Sequence, residues 1–420
     1  MKQQINFKAI NIAHVDLLLF SAFLISFFLH YRINGFIAML IIIFYGFKLI
    51  FKKININGGW GISFLPALFL TLILGQLYSE DLQEGWSIIE RNLALLFIPF
   101  AAKAIINLSR EKQQILIKIF IVSGIFASLV CLGIATMNTI ESQSFFVIPN
   151  NTHFLYNHFM HHRLSDPIGM HAVYFSIFLA FSNITILYIL LNRKLSRPKK
   201  VLHVCIFLFI IGMLYLLKSA NIAFGFTICC GIVILNRYRN ILTYSKLKLT
   251  ILFAGLILFT TISINNKLEN FTIDYDMKNP SASPIEIRLS IWDCTWQAIT
   301  DQWVLGAGTG DGHHALVEKY ESNEFQIGLA NDFNAHNMFL QYWLGNGILA
   351  LGLFTLGLLL LFLKAIKKKN VIFISFIILF TLFSLTESTL RTQKGLFFFV
   401  FFAGLFYWNP TLWSINPNEE

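Results

Sequence analysis

The stretch LQYWLGNGILALGLFTLGLLLLFL, residues 340–363, carries no formal charge and then runs into Lys364, Lys367, Lys368 and Lys369. A helix needs about 20 mostly apolar residues to cross the hydrocarbon core of a bilayer, so this stretch reads as a membrane span with lysines gathered at one end. Working outward, apolar runs of the same kind lie near residues 15–31, 33–51, 62–78, 92–107, 114–137, 169–192, 201–217, 219–236, 249–265, 370–387 and 394–408. With 340–363 they make about twelve spans. Composition agrees: of 420 residues, 56% are hydrophobic and 13% charged, and that charged fraction is about half of what soluble domains carry. Little apolar sequence is left over for a soluble core. The expected fold is an all-α polytopic membrane protein forming one integral membrane domain over 1–420. The first run lacks the small-residue cleavage site of a signal peptide and is followed at once by a second run, so it is expected to be retained.

The lysines after residue 363 orient the chain. With the N-terminus inside, the inner segments hold 21 of the 32 Lys and Arg residues, among them Lys52, Lys53, Arg193, Lys194, Lys199, Lys200, Arg237, Lys364 and Lys367 to Lys369. This asymmetry in short loops places both termini in the cytoplasm. The formal net charge of +10 is therefore a topology signal and implies no nucleic-acid partner. Asp and Glu fall mostly on the outer side, 18 of 22. Four of the five cysteines lie in spans and only Cys294 lies outside, so the outer face has no cysteine pair for an intrachain disulfide.

Two outer segments, 138–168 and 266–339, are too long to be turns, and loops of that length usually carry function. In the second, Ser283-Pro284-Ile285-Glu286 has an N-cap serine, a proline at the first helical position and a glutamate at the third, so a helix should begin there. Apolar residues recur at Ile285, Leu289, Trp292, Trp296, Ile299 and Trp303, one face of a helix ending before Gly306. Three tryptophans on that face suit the membrane interface. Arg288 stands one turn before Trp292 at the edge of the face, where an arginine either snorkels or serves a site. Gly306-Ala307-Gly308-Thr309-Gly310-Asp311-Gly312 follows. It is not a P-loop, since no Gly-Lys-Ser/Thr closes it. It reads either as a flexible turn or as backbone whose Gly308 and Gly310 amides approach an anion.

His336-Asn337 closes the loop at the mouth of the 340–363 span, where a histidine can act as general base or simply cap a helix. The first long loop contributes His153, His158, His161, His162 and Arg163, with His171 and Tyr174 opening the next span. These histidines match neither HExxH nor a Cys/His finger, so no metal site is expected. Glu387, Arg391, Gln393 and Lys394 lie near the outer ends of the last two spans, and Lys218 lies in the turn between 201–217 and 219–236. Charges this close to hydrocarbon are either anchors or site residues.

Taken together, these elements resemble the O-antigen ligase and polymerase family of bacterial envelope glycosyltransferases. The resemblance rests on a long loop between spans nine and ten with Arg288 and Trp292 in its helix. It rests also on Gly306, Gly308 and Gly310, and on His336-Asn337-Met338-Phe339-Leu340-Gln341. It is strongest over 201–365, the ligase-like core region, and His171-Ala172-Val173-Tyr174 is similar to a His-Pro-x-Tyr element of relatives, with Ala172 in place of proline. Lys218-Ser219-Ala220-Asn221 stands where relatives carry a Ser-Arg-Gly sequence, so the diphosphate-binding arginine is missing and Lys218 is its candidate substitute. A lysine lacks the bidentate fork of an arginine.

The resemblance implies direct, metal-independent inverting transfer of a glycan from undecaprenyl diphosphate to an acceptor sugar hydroxyl, without a cofactor. The site would face the periplasm of the bacterial inner (cytoplasmic) membrane. The acceptor would be lipid A-core for a ligase or another lipid-linked repeat for a polymerase. On this basis His336 and Arg288 are the expected catalytic residues. Lys218, Arg163, His171, Tyr174, Arg391, Asn337, Gly308 and Gly310 are expected to bind substrate. A transporter or flippase of lipid-linked sugars is the alternative from another class. Such proteins show internal repeats and ionisable residues near the midplane, whereas here only Asp16 and Lys118 lie within the assigned spans away from the site-bearing ends, and the polar chemistry gathers in the outer loops.

Overall fold

The computed structural model describes residues 7–51, 58–141, 158–238, 255 and 284–412. Among them all regular structure is helical, with no strand. Six helices are long and apolar enough to cross a membrane: α2 (Tyr31–Ile50), α6 (Arg110–Glu141), α8 (Ala172–Asn192), α9 (Arg197–Leu217), α10 (Ala220–Tyr238) and α14 (Met338–Lys367). Shorter apolar helices pack among them: the apolar part of α1 (Phe7–Ser26), α3 (Phe64–Gln76), α15 (Val371–Ser384) and α16 (Gln393–Trp408). The chain is a multi-pass membrane protein. The span expected at 249–265 and the first part of the second long loop lie outside the described residues, as do Ser283 and His153.

The run expected to span at 92–107 is not one helix. It is divided between the end of α4 (Leu82–Asn92), the eight-residue α5 (Ala94–Ala101) and a 3-10 turn, Ala102–Asn107. Pro99 inside α5 has no N–H to continue the helical ladder, and its carbonyl instead accepts a hydrogen bond from Trp408 Nε1 at 2.9 Å. Apolar content marked the stretch as a span, and the chain instead breaks it at Leu93 and again at Ala102.

Phenylalanine builds the centre. In α16 every residue from Gly395 to Tyr407 is buried, as expected for a helix apolar on all sides. Phe398 sits among Phe27, Phe120, Phe178, Phe181, Phe376 and Phe402, with ring centroids 4.8 to 6.3 Å apart. Edge-on and tilted pairs dominate, the arrangement that favours the ring quadrupoles. Because α15 and α16 are short, an irregular stretch over residues 385–392 connects them while still surrounded by protein. Its amides find partners locally: Thr386 N–H donates to the Phe383 carbonyl, Thr389 N–H to the Glu387 carbonyl and Leu390 N–H to Met338 Sδ. Beside it the Ser384 and Thr389 hydroxyls pair at 2.9 Å, and Lys394 Nζ donates to the carbonyls of Ser26 and Phe27 at the end of α1. Lys394 is thus a cap on a helix C-terminus, where a cation is favoured.

Above that end of the bundle sits a cap of three helices: α11 (Pro284–Asp301), α12 (Gly312–Ser322) and α13 (Gln326–Asn331). Its own small core is Ile291, Cys294, Ala298, Leu316, Tyr320 and Phe325, joined to α14 through Leu344. The capping glutamate and Pro284 do open α11, but the buried face is only in part the one the apolar spacing marks. Glu286, Ser290, Ile291, Cys294, Thr295 and Ala298 face inward, whereas Trp296 and Trp303 are 49% and 54% exposed. Trp296 and Trp303 look out of the molecule, while Trp292 and Ile299 of the same face pack against the core of the cap.

Candidate functional site

Three of the elements that end beside residues 385–392 bring charged side chains together. His336 precedes α14, Glu387 follows α15 and Arg288 projects from the second turn of α11. Arg288 Nη2 lies 3.2 Å from Glu387 Oε1, and His336 Nδ1 lies 3.3 Å from Glu387 Oε2. One carboxylate thus holds a guanidinium with one oxygen and an imidazole with the other. The Glu387 side chain is 9% exposed. Burial pushes its carboxyl up, but the His336 hydrogen bond and the charges of His336 and Arg288 outweigh that and hold it below the usual carboxylate range. It stays ionised and can stabilise positive charge on either partner.

The local backbone aims the histidine. Asn337 is the N-cap of α14, its Oδ1 accepting from the amides of Phe339 at 2.9 Å and Leu340 at 3.2 Å. His336 itself is left-handed, with φ 41°, and its amide donates to Asn334 Oδ1 at 3.0 Å. A left-handed histidine is uncommon and is held here by that turn. Asn337 therefore acts as the cap that sets His336, and its side-chain oxygen is committed to the helix.

Around the trio, His171 caps α8 and lies ring to ring with His162, centroids 3.9 Å apart. Desolvation, then the neighbouring His162, pushes the His171 imidazole down to about 4, so it is neutral at neutral pH. Tyr174, one turn into α8, is buried with its ring 5.2 Å from Phe383. Arg163 is exposed on the short helix α7 (His161–Ser165). Lys218 ends α9 in the left-handed conformation. Its turn is fixed on both sides: Ser176 Oγ donates to Ser219 Oγ at 3.1 Å, and Asn221 bonds Thr386 and the Leu382 carbonyl at the end of α15. The Lys218 turn thus sits on the rim beside Glu387.

The glycine run has a different part from an anion cradle. Gly308 N–H donates to the Gly345 carbonyl and Gly310 N–H to Ser79 Oγ, each at 3.0 Å, so both amides are already used. The run wedges against a break in α14 at Gly347, where φ is 71°. A Cβ on Gly306 would lie 2.5 Å from the Gly347 nitrogen, and one on Gly310 would collide with the Asp81 carbonyl. These glycines permit close approach of backbones. Arg391 also departs from the trio: its Nη2 is 3.8 Å from Glu84 Oε1, in a neighbouring cavity.

Glu387 is the residue whose role sequence reasoning missed. In the sequence it is one of several charges near a span end, and the signal that singles it out is its position in a buried, non-helical connection. Two donors beside the trio have no acceptor among the described residues, Arg288 Nε and Trp292 Nε1, both buried. Among the described residues no group of His, Cys, Asp and Glu is arranged to hold a metal ion.

Residues 205–355 match a family model described as O-Antigen ligase. That match covers the Lys218 turn, Arg288, the glycine run and His336. The matched stretch ends within α14, so Glu387, which completes the trio, comes from outside it. No curated protein matches the chain. The match supports a membrane glycosyltransferase of the ligase or polymerase type.

Proposed function

We propose that the protein transfers a glycan from undecaprenyl diphosphate to an acceptor sugar hydroxyl at the periplasmic face of the inner membrane, with lipid A-core as acceptor. The carrying observation is the shared carboxylate: Glu387 between His336 Nδ1 and Arg288 Nη2. With Nδ1–H donated to Glu387, the His336 Nε2 lone pair is left to accept a proton, the orientation a general base requires. The acceptor hydroxyl oxygen attacks the anomeric carbon of the donor sugar as its proton passes to Nε2. The bond from that carbon to the diphosphate breaks, and the electron pair leaves with the diphosphate.

Negative charge growing on the leaving group needs cations and N–H donors already in place. Arg288, with its unpartnered Nε, and Trp292 Nε1 supply them, with Lys218 on the rim as a further cation. Glu387 keeps the imidazolium stabilised until the proton is released. Asn337 positions His336, and His171 with Tyr174 forms the opposite wall. Arg163 lies at the exposed edge, a further cation on the donor or acceptor side. The spans beside the site give the polyprenyl chain an apolar path.

The test is complementation of a bacterial strain lacking its own ligase, read as glycan-capped lipopolysaccharide. Wild type restores capping, and His336→Ala and Arg288→Ala do not. Capping by both variants sinks the assignment, and elongated lipid-linked glycan without capping turns the acceptor into another lipid-linked repeat, as in a polymerase.

A further inference from the structure

Beside the trio lies a polar cavity of about 320 Å³, at the lower end of the range of ligand pockets. It is built by the same loops as the trio. Asp332 and Asn334 line it four and two residues before His336, whose amide Asn334 holds, and Arg391 lines it four residues after Glu387. The remaining wall comes from Asp81 and Glu84 at the start of α4 and from His313 and His314 at the start of α12.

Each nitrogen donor there faces a carboxylate: His313 Nε2 is 2.7 Å from Asp332, His314 Nε2 is 3.2 Å from Asp81, and Arg391 Nη2 is 3.8 Å from Glu84. Behind the wall, Arg91 Nη1 donates to the Arg391 carbonyl at 2.9 Å, and the Asp311 carboxylate accepts from the amides of Glu80 and Asp81. The lining holds three carboxylates, Asp81, Glu84 and Asp332, against one guanidinium and two imidazoles. Acceptor oxygens are in surplus. His313 Nδ1 is buried and has no partner among the described residues. Such a lining accepts hydrogen bonds from hydroxyl or ammonium groups and repels an anion.

We propose that this cavity is a subsite for the acceptor sugar, and that its acidic lining selects neutral or amino sugars over sugars bearing phosphate or carboxylate. The proposal rests on the transferase reading above and goes beyond it by naming the class of sugar. Carboxylates at fixed positions accept from vicinal hydroxyls, while Arg391 and the histidines donate to ring and hydroxyl oxygens. The donor diphosphate is kept at Arg288 and Lys218, where the cations are, so the two substrates are sorted by charge across the His336 loop.

The test is saturation-transfer NMR on the full-length chain in nanodiscs at pH 8. The probes are N,N′-diacetylchitobiose, the glucosamine disaccharide and N-acetylglucosamine 6-phosphate. The two uncharged or cationic sugars should bind about tenfold or more tightly than the phosphate, the factor from one like charge roughly 8 Å away at an effective dielectric of about 30. Asp332→Asn combined with Glu84→Gln should shrink that ratio to within about threefold. Asp332→Asn alone, on a side chain 76% exposed and so unlikely to disturb folding, should shrink it part-way. Equal or tighter binding of the phosphate, or no binding of any of the three sugars, overturns the subsite. Glycan transfer measured in parallel separates the two ideas: sugar discrimination without transfer counts against the proposed reaction, and transfer without discrimination counts against the subsite.

Discussion

Replacing Glu387 by glutamine keeps the shape of the side chain and removes its charge. The carboxylate lies 3.3 Å from His336 Nδ1 and 3.2 Å from Arg288 Nη2. At an effective dielectric near 20, unit charges about 4 Å apart interact by about 4 kcal/mol. That sets the ceiling on what Glu387 contributes to an imidazolium formed during transfer, a factor of about 10³ in rate. A glutamine amide can also present N–H to Nδ1 and so select the tautomer that lacks a lone pair at Nε2. We expect Glu387→Gln to lower kcat by about 10² to 10³, with a much smaller effect on the KM for acceptor. The fold should lose about 1–2 kcal/mol, because Arg288 is left without its counter-ion while still partly open to solvent.

The pH dependence of stability adds a second readout. The folded carboxyl of Glu387 is held below its ordinary value, so its stabilisation is complete above the unfolded carboxylate pKa of about 4 and is lost as pH falls through the lower folded value. Wild type should therefore lose more melting temperature on going from pH 6 to pH 3 than Glu387→Gln does. The assay is transfer from a lipid-linked donor by protein in detergent, with thermal melting followed across that pH range. An unchanged kcat in Glu387→Gln refutes the role given to the shared carboxylate.

Lys218→Ala should raise the KM for the undecaprenyl diphosphate donor several-fold, while Lys218→Arg should match or improve on wild type; equal KM values for all three remove Lys218 from the site. Gly306→Ala places a Cβ 2.5 Å from the Gly347 nitrogen at a φ of 78° and should cost about 2 kcal/mol or more. Gly133→Ala, with nothing within 4 Å, should be neutral or slightly stabilising, and equal melting temperatures for the two contradict the close-packing role of the glycine run. Protein treated with EDTA should keep transferring glycan; loss of transfer restored by a divalent metal would bring the histidine cluster back as a ligand set.

Much of this architecture is readable from hydrophobic run length alone, because a bilayer imposes one length and one polarity on every span. Run length fails at 92–107, where an apolar segment is broken at Leu93 and at Ala102, with Pro99 inside the short helix between. On α11 the three-and-four spacing marks a helix face suited to the membrane interface. Trp296 and Trp303 on it are exposed, while Ile299 on the same face and Ser290, Cys294, Thr295 and Ala298 beside it are buried in the cap.

The site divides in the same way. His336 and Arg288 are legible because resemblance places both in known elements. Glu387 is invisible in that way, since its importance comes from a pairing across the fold with residues 99 and 51 positions away in sequence. Gly308 and Gly310 illustrate the reverse error: freedom from side chains suggests an anion site, yet their amides are spent on Gly345 and Ser79. Asn337 looks like a ligand-binding amide and is a helix cap.

The measurement that tests the central claim most directly is single-turnover transfer by the purified chain in nanodiscs, from a radiolabelled glycan on undecaprenyl diphosphate to lipid A-core, comparing wild type with His336→Ala. The account predicts capped product and free undecaprenyl diphosphate in equal amounts with wild type, and a rate lower by about 10² or more with the variant. Wild-type rates from His336→Ala, with a melting temperature unchanged from the parent, would contradict it.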